Sequence, residues 1–470
     1  MCRSVWVLSC AFSLILGIPA SAQDRPRLAD VLALEEVMQE AIRKAEPSIA
    51  CILVTRSDEP HQVQLANPDV VPESYGSGVV IDEKGLILTN RHVVTGATKI
   101  FVRLPGNKAS YAEIHADDPR SDLAVIRLLD ARVLPVPAIK LGDGGNVRKG
   151  QLVLALANPF AAGFRDGSPS ASWGIISNIR RRAPGGNRED ERDRTLHHYG
   201  TLLQTDARLN LGCSGGALID LKGELIGLTT SLAAIAGGET PGGFAVPMDA
   251  GMRRIIEVLR RGEEVEYGFL GVVFQRGPED GRGRGGVLIK SVLPGSPAQH
   301  AGLRDGDTLL RVNGVEVNDA DDLFLVIGTH LAGSTVRLDV RSPGGAVRRG
   351  VPVTLAKFYV PESLGRPIAT RRPPAPGGLR VDYTSILAQR VGAGLFGGAI
   401  PPGVVIREVQ TNSAADRVRL QVDKIITHVN GREVRTPADF YREMEKAAGP
   451  VELTLYTADG RPDRVTIDLR

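Results

Sequence analysis

The chain has 470 residues, more than one hydrophobic core usually organises, so two to four domains are expected. Its 42% apolar content suits folded domains; 4% aromatics with 54 glycines and 30 prolines favours short strands and tight turns over helical bundles. A net charge of +3 is too near balance to argue for nucleic acid or an acidic partner, and neither is expected.

Residues 1–22 read as a secretory signal: Arg3 is a positive start, Val5–Ile18 is almost uninterruptedly apolar, and Ala20-Ser21-Ala22 is a small-x-small cleavage site. The apolar run is shorter than the ~20 residues of a bilayer span. An exported protein, periplasmic or otherwise extracytoplasmic, is expected. Cys2 and Cys10 leave with the signal, and Cys51 and Cys213 remain, 162 positions apart. Two separate buried thiols are expected rather than a disulfide framework. No Cys/His cluster has zinc-like spacing, so neither a metal nor a cofactor is expected.

Residues 23–47 carry Val31, Leu34, Met38, Ile42 and Ala45 at helical spacing, and Pro47 ends the helix. Over 48–262 the chain turns to short β-type runs (IACILVT, GSGVVID, GLILTN, KIFVRL, LAVIRL, QLVLALA, WGIISNI, GELIGLTT) separated by glycine and polar turns, closing with a helix over 249–261. Such runs predict a closed or sandwiched antiparallel β domain. Beyond Tyr267 there is an internal repeat. Gly286-Val-Leu-Ile-Lys aligns with Gly403-Val-Val-Ile-Arg, an offset of 117 that also pairs Ser296 with Ser413, Asn313-Gly314 with Asn430-Gly431, and Asp322 with Asp439. Two small mixed α/β domains are expected, over 267–358 and 377–470, the second divergent. The proline- and arginine-rich linker between them, 359–376, reads as an extended tether.

The stretch LNLGCSGGALID, residues 209–220, places a serine between glycines and a cysteine immediately before it. Either side chain is a chemically competent nucleophile. Acyl transfer by serine needs a base within hydrogen-bond reach, a carboxylate to hold that base, and backbone N–H groups aimed at the oxyanion. His92 follows the strand LILTN, Asp122 precedes the strand LAVIRL, and Ser214 sits in a turn where the amides of Gly212 and Ser214 converge. A reactive thiol needs a neighbouring cation or helix N-terminus to lower its pKa; Ser214 has a base, a carboxylate and a turn built around it, and Cys213 has none of these, which favours Ser214.

The flanks GSGVVIDEKGLILTNRHVV (76–94), SDLAVIRL (121–128), LANPF (156–160), WGIIS (173–177), LLQTDARLNLGCSGGALID (202–220), GELIGLTT (223–230) and GGFAVPMD (242–249) together resemble the HtrA/Deg family of trypsin-like serine proteases. The two repeats resemble PDZ domains. The resemblance implies an all-β double barrel of chymotrypsin type, His92 as general base, Asp122 as its orienting partner and Ser214 as nucleophile, with the amides of Gly212 and Ser214 as oxyanion donors. The family usually has asparagine at Cys213, proline at Leu211 and glycine at Ala157; amide donors do not depend on the side chain, so these departures leave the chemistry available.

In such a domain the primary pocket is walled by Leu209, Asn210 and Leu211 before the nucleophile and by Leu228, Thr229, Thr230 and Ser231 after it. None is acidic, so small or medium aliphatic side chains are expected before the scissile bond. In the first repeat Phe269, Leu270, Gly271 and Val272 resemble a PDZ carboxylate loop and ligand strand, with Leu323 and Ile327 as the opposite wall, for peptides with free C-termini. The charged stretch 181–200 falls where the family senses PDZ occupancy, and its His197-His198 pair is read as incidental. Family members form trimers through aromatic residues near the mature N-terminus; residues 23–50 contain none. The expected function is an ATP-independent serine endopeptidase acting on unfolded or damaged exported proteins. The alternative is a proteolytically quiescent chaperone or peptide-binding PDZ protein.

Overall fold

The computed structural model of the chain describes residues 28–56, 72, 74–182, 195–230, 243–274, 285–396, 398–457 and 463–469; the expected signal segment lies outside them. The short apolar runs form strands β1 (Ile49–Arg56), β2 (Ser74–Asp82), β3 (Leu86–Asn90), β4 (Ala97–Leu104), β5 (Lys108–Asp118) and β6 (Leu123–Leu128), which close into a barrel in the order β1-β2-β3-β6-β5-β4. A second barrel closes β7 (Leu152–Ala157), β8 (Ser170–Arg181), β9 (Leu202–Thr205), β10 (Ala217–Ile219), β11 (Leu225–Thr230) and β12 (Gly243–Pro247) in the order β10-β11-β12-β9-β8-β7. Closure leaves no sheet edge unpaired.

The β-period explains why β1 is buried almost throughout. Ala50, Ile52 and Val54 fill the first barrel with Val80, Ile87 and Ile126. Ile49 instead faces outward and joins Val79, Leu88 and Leu123 against Leu154, Leu156 and Leu228 of the second barrel. Into this shared core helix α2 (Ala250–Arg260), capped by the Asp249 carboxylate accepting from Met252 N at 2.8 Å, inserts Met252, Ile255, Ile256 and Leu259. The N-terminal helix α1 (Leu28–Ala45) packs only by its last turns. Ala41 and Ala45 are buried, whereas Val31 and Leu34 of the expected stripe are 54% and 42% exposed.

The repeat holds position by position. Each copy is a six-stranded sheet with one short hairpin strand off the main path. Ser296 and Ser413 cap matching short helices, and Asp319 and Thr436 cap the helices Ala320–Gly328 and Pro437–Glu445. Asn313 and Asn430 both take positive φ, 51° and 50°. Where the second copy replaces Gly302 and Gly306 by Arg419 and Asp423, the backbone stays left-handed, at 59° and 71°. The turn geometry outlasts the residues that favour it.

The linker departs from the expected tether. Its prolines keep it extended, but it lies along β5. Asp117 N donates to Ile368 O at 2.9 Å, Ile368 N returns to the Asp117 carboxylate at 2.6 Å, and Arg371 N reaches Gly262 O at 2.8 Å. Backbone groups that read as solvated in the sequence find partners on the barrel.

Candidate active site

The chain reverses after β3 into one helical turn, Arg91–Val94, which carries His92. Asp122 occupies the turn between β5 and β6 with φ of 56°, a conformation that aspartate tolerates better than most residues. Its backbone carbonyl accepts from Arg91 N at 2.8 Å. Its carboxylate accepts from His92 N at 2.9 Å and meets His92 Nδ1 at 2.7 Å. One carboxylate therefore fixes both the backbone and the ring of the histidine. With Nδ1 donating to it, the neutral imidazole keeps its basic lone pair on Nε2.

Desolvation works against a proton on His92, but attraction to Asp122 and the hydrogen bond between them outweigh it and raise its pKa above the ordinary value. Burial pushes the Asp122 carboxyl up, yet the His92 charge and hydrogen bond, with a smaller contribution from His197, hold it below the carboxylate range.

Ser214 belongs to the turn between β9 and β10, which is pinned from several sides. Ser77 N donates to Ser214 O at 2.8 Å and Ser77 Oγ to Gly212 O at 2.7 Å, while Asn158 N donates to that same hydroxyl at 2.8 Å. Thr229 Oγ1 donates to Cys213 O at 2.5 Å, and Gly215 N to Thr229 O at 2.8 Å. Gly215 has φ of 84°, and a Cβ there would lie 2.1 Å from Ser77 O, so no other residue fits. Gly76 of β2 is the common neighbour of the two halves of the site. A Cβ on it would stand 2.6 Å from a methyl of Val93, beside His92, and 3.3 Å from Ser214 O.

Cys51 and Cys213 are both buried and free, as expected. The Cys213 thiol is turned back on its own loop, where Sγ accepts from Asn210 N at 3.3 Å, and burial raises its pKa. Burial pushes the Cys51 thiol up to about 12. Neither is poised as a thiolate.

Of the residues expected around the primary pocket, Leu228, Thr229 and Thr230 are buried, and the Thr229 hydroxyl is committed to the Cys213 carbonyl. Leu209 packs against Gly243, Leu211 is 53% exposed, and Asn210 anchors the turn through its amide and carbonyl. Ser231 lies outside the described residues.

Phe269, Leu270, Gly271, Val272, Leu323 and Ile327 line one groove of about 420 Å³, joined by Phe274, Phe324, Phe358 and, from the first barrel, Arg120. The same helix that walls this groove meets the second barrel. Phe324 stacks on Tyr199 at 4.9 Å, and Asp322 and Asp321 pair with Arg180 and Arg182 at the end of β8. Two residues here escaped the sequence reading. His197, read as incidental, is buried beside Asp122, has no hydrogen-bond partner at either ring nitrogen among the described residues, and is pushed by burial to about 4. Arg120 stands in a turn, where nothing in the sequence distinguishes it from a solvated surface charge.

Residues 76–228 match the trypsin-like peptidase domain family and residues 260–341 the PDZ domain family. Paired barrels and sequence thus agree on a class, a trypsin-like serine peptidase carrying PDZ units. A probable periplasmic serine endoprotease, DegP-like, of Pseudomonas fluorescens is 33% identical over 387 residues, covering 80% of this chain and 74% of its own. The periplasmic serine endoprotease DegP of Escherichia coli is 30% identical over 391 residues, covering 82% and 74%. The structure of the HtrA-type protease AlgW with tripeptide aligns over 69% of this chain and 98% of its own, with TM-score 0.51 and 28% identity. The chain belongs to the DegP/HtrA family; it is a serine endopeptidase that acts outside the cytoplasm.

Proposed function

We propose that His92, Asp122 and Ser214 form the catalytic triad of an ATP-independent endopeptidase that cleaves unfolded or damaged exported polypeptides through an acyl-enzyme. Ser214 Oγ attacks the scissile carbonyl, His92 Nε2 takes its proton and returns it to the leaving amine, and Asp122 holds the ring and stabilises the imidazolium. The amides of Gly212 and Ser214 receive the oxyanion. The observation that carries this reading is the double grip of Asp122 on His92, at 2.9 Å to the backbone and 2.7 Å to Nδ1.

Leu209, Asn210, Leu211, Leu228, Thr229, Thr230 and Ser231 surround the primary pocket in this reading, which favours aliphatic side chains. The peptidase unit spans 48–262, the first PDZ unit 267–358 and the second 377–470. The groove bounded by Phe269–Val272, Leu323 and Ile327 receives peptides with free C-termini. Removal of residues 1–22 delivers a periplasmic protein, and the chain assembles as a homo-oligomer, a trimer by family resemblance.

Hydrolysis of unfolded casein tests the assignment. Ser214→Ala abolishes cleavage while Cys213→Asn retains most of it. Retention in the first with loss in the second would transfer the chemistry to the thiol.

A further inference from the structure

We propose that Arg120, contributed by the first barrel, is a ligand-binding residue of the first PDZ groove and receives the C-terminal carboxylate of a bound polypeptide. The proposal rests on that groove being a peptide site.

Arg120 is 3% exposed, yet it lines the groove. Its guanidinium is held between two aromatic rings, 4.5 Å from the centroid of Tyr267 and 4.3 Å from that of Phe358. These rings cover its faces, and its edges carry five N–H donors. Among the described residues the guanidinium makes one hydrogen bond, a long one of 3.5 Å from Nη1 to Gly328 O. Among the described residues no carboxylate forms an ion pair with it. Asp118 attracts it through space, while the Asp118 carboxylate itself accepts from the Tyr267 hydroxyl and from Ser121 N. A guanidinium with both faces covered by rings presents its charge and its donors along the edge that lines the groove, where they suit a planar anion.

The position of the guanidinium suits a chain end. Gly328 closes the helix Ala320–Gly328, and a Cβ on it would stand 3.0 Å from Arg120 Nη2. Gly268 stacks on the same helix end, since a Cβ there would lie 3.3 Å from Ile327 O. The loop that begins the groove and the guanidinium therefore converge at one end of it. A terminal carboxylate placed there meets a planar fork able to bind both its oxygens, and the aromatic and aliphatic lining takes an apolar last side chain.

Arg120 also lies two residues before Asp122, and its carbonyl accepts from Leu196 N at 2.8 Å, next to His197. A carboxylate bound at Arg120 thus touches a segment continuous with the catalytic carboxylate.

The test uses the full-length Ser214→Ala chain and a labelled Gly-Ser-Gly-Ser-Leu-Val-Leu peptide, as the free acid and as its C-terminal amide, in fluorescence anisotropy. The acid binds about tenfold or more tighter than the amide. Arg120→Gln collapses that ratio by weakening the acid alone. An unchanged ratio, or equal weakening of both peptides, overturns the role of Arg120 while leaving the groove a peptide site. Failure of both peptides to bind the parent chain overturns the groove reading itself, and this proposal with it. Should Arg120→Gln not fold, hydrogen exchange on the parent chain decides. At matched occupancy the acid, and not the amide, slows exchange over 118–122. Protection confined to 268–274 and 320–328 overturns the proposal.

Discussion

His92 shows how two opposed effects set the working range of a residue. Desolvation favours the neutral ring, but the Asp122 carboxylate favours the imidazolium and prevails. A general base must be neutral to act, so activity appears only as pH rises through the raised value. The stability that the pair contributes has the opposite sense: it is fully present below the ordinary histidine value and fades through the same rise. The acidic limb of kcat/KM on a peptide substrate is therefore expected above 6.5, the ordinary value. A limb below 6.5 would mean that desolvation wins at this ring. The pairing of His92 with Asp122 was legible in the sequence because one follows β3 and the other precedes β6, each flanked by its own short motif. Arg120 was not, because its surroundings come from Tyr267 and Phe358, far along the chain. His197 was hidden similarly, since burial beside Asp122 is a property of packing rather than of its neighbours in sequence.

At the scale of elements, the repeat was readable to the residue, because one ungapped offset preserved strand starts, caps and left-handed turns together. The docking of the linker was not readable. Its hydrogen bonds to Asp117 and Gly262 are non-local, and a proline-rich stretch looks the same free or bound. Where the linker begins, Lys357 is buried and gathers three carboxylates: Asp382 at 2.8 Å, Glu266 at 2.9 Å and Glu264 at 3.1 Å. Arg407 shares Asp382 and Glu264, at 3.3 Å and 2.7 Å. Asp382 belongs to the second repeat, so the cluster ties the two copies together. Removing one partner of a buried ion pair costs about 3–5 kcal/mol, because the other charge is stranded. Lys357→Met is expected to lower the melting temperature and expose 359–376 to limited proteolysis, whereas Lys357→Arg retains most of the stability. Equal melting of Lys357→Met and the parent chain would show that Arg407 alone neutralises the carboxylates.

At the scale of the molecule, the outer turns of α1 present an exposed apolar surface among the described residues. Leu28, Val31, Leu32, Leu34 and Val37 are 72%, 54%, 52%, 42% and 44% exposed. Grouped apolar exposure of this kind marks an association surface more often than chance exposure, since each such side chain is stabilised by about 1.5–3 kcal/mol when fully buried. The helix is anchored by Ala41 and Ala45 beneath the barrels, so its free end projects from a fixed base. A second and third copy of the same chain are the partners proposed for it, through aliphatic rather than aromatic contacts. Replacing Val31 and Leu32 together by aspartate alters no residue of the candidate active site and leaves the buried anchor intact. Light scattering after size exclusion is expected to find a trimer for the parent chain and a smaller species for the double variant. A parent chain that runs as a monomer at micromolar concentration, or a double variant of unchanged mass, would remove α1 from the assembly and leave its exposed aliphatic turns to another role.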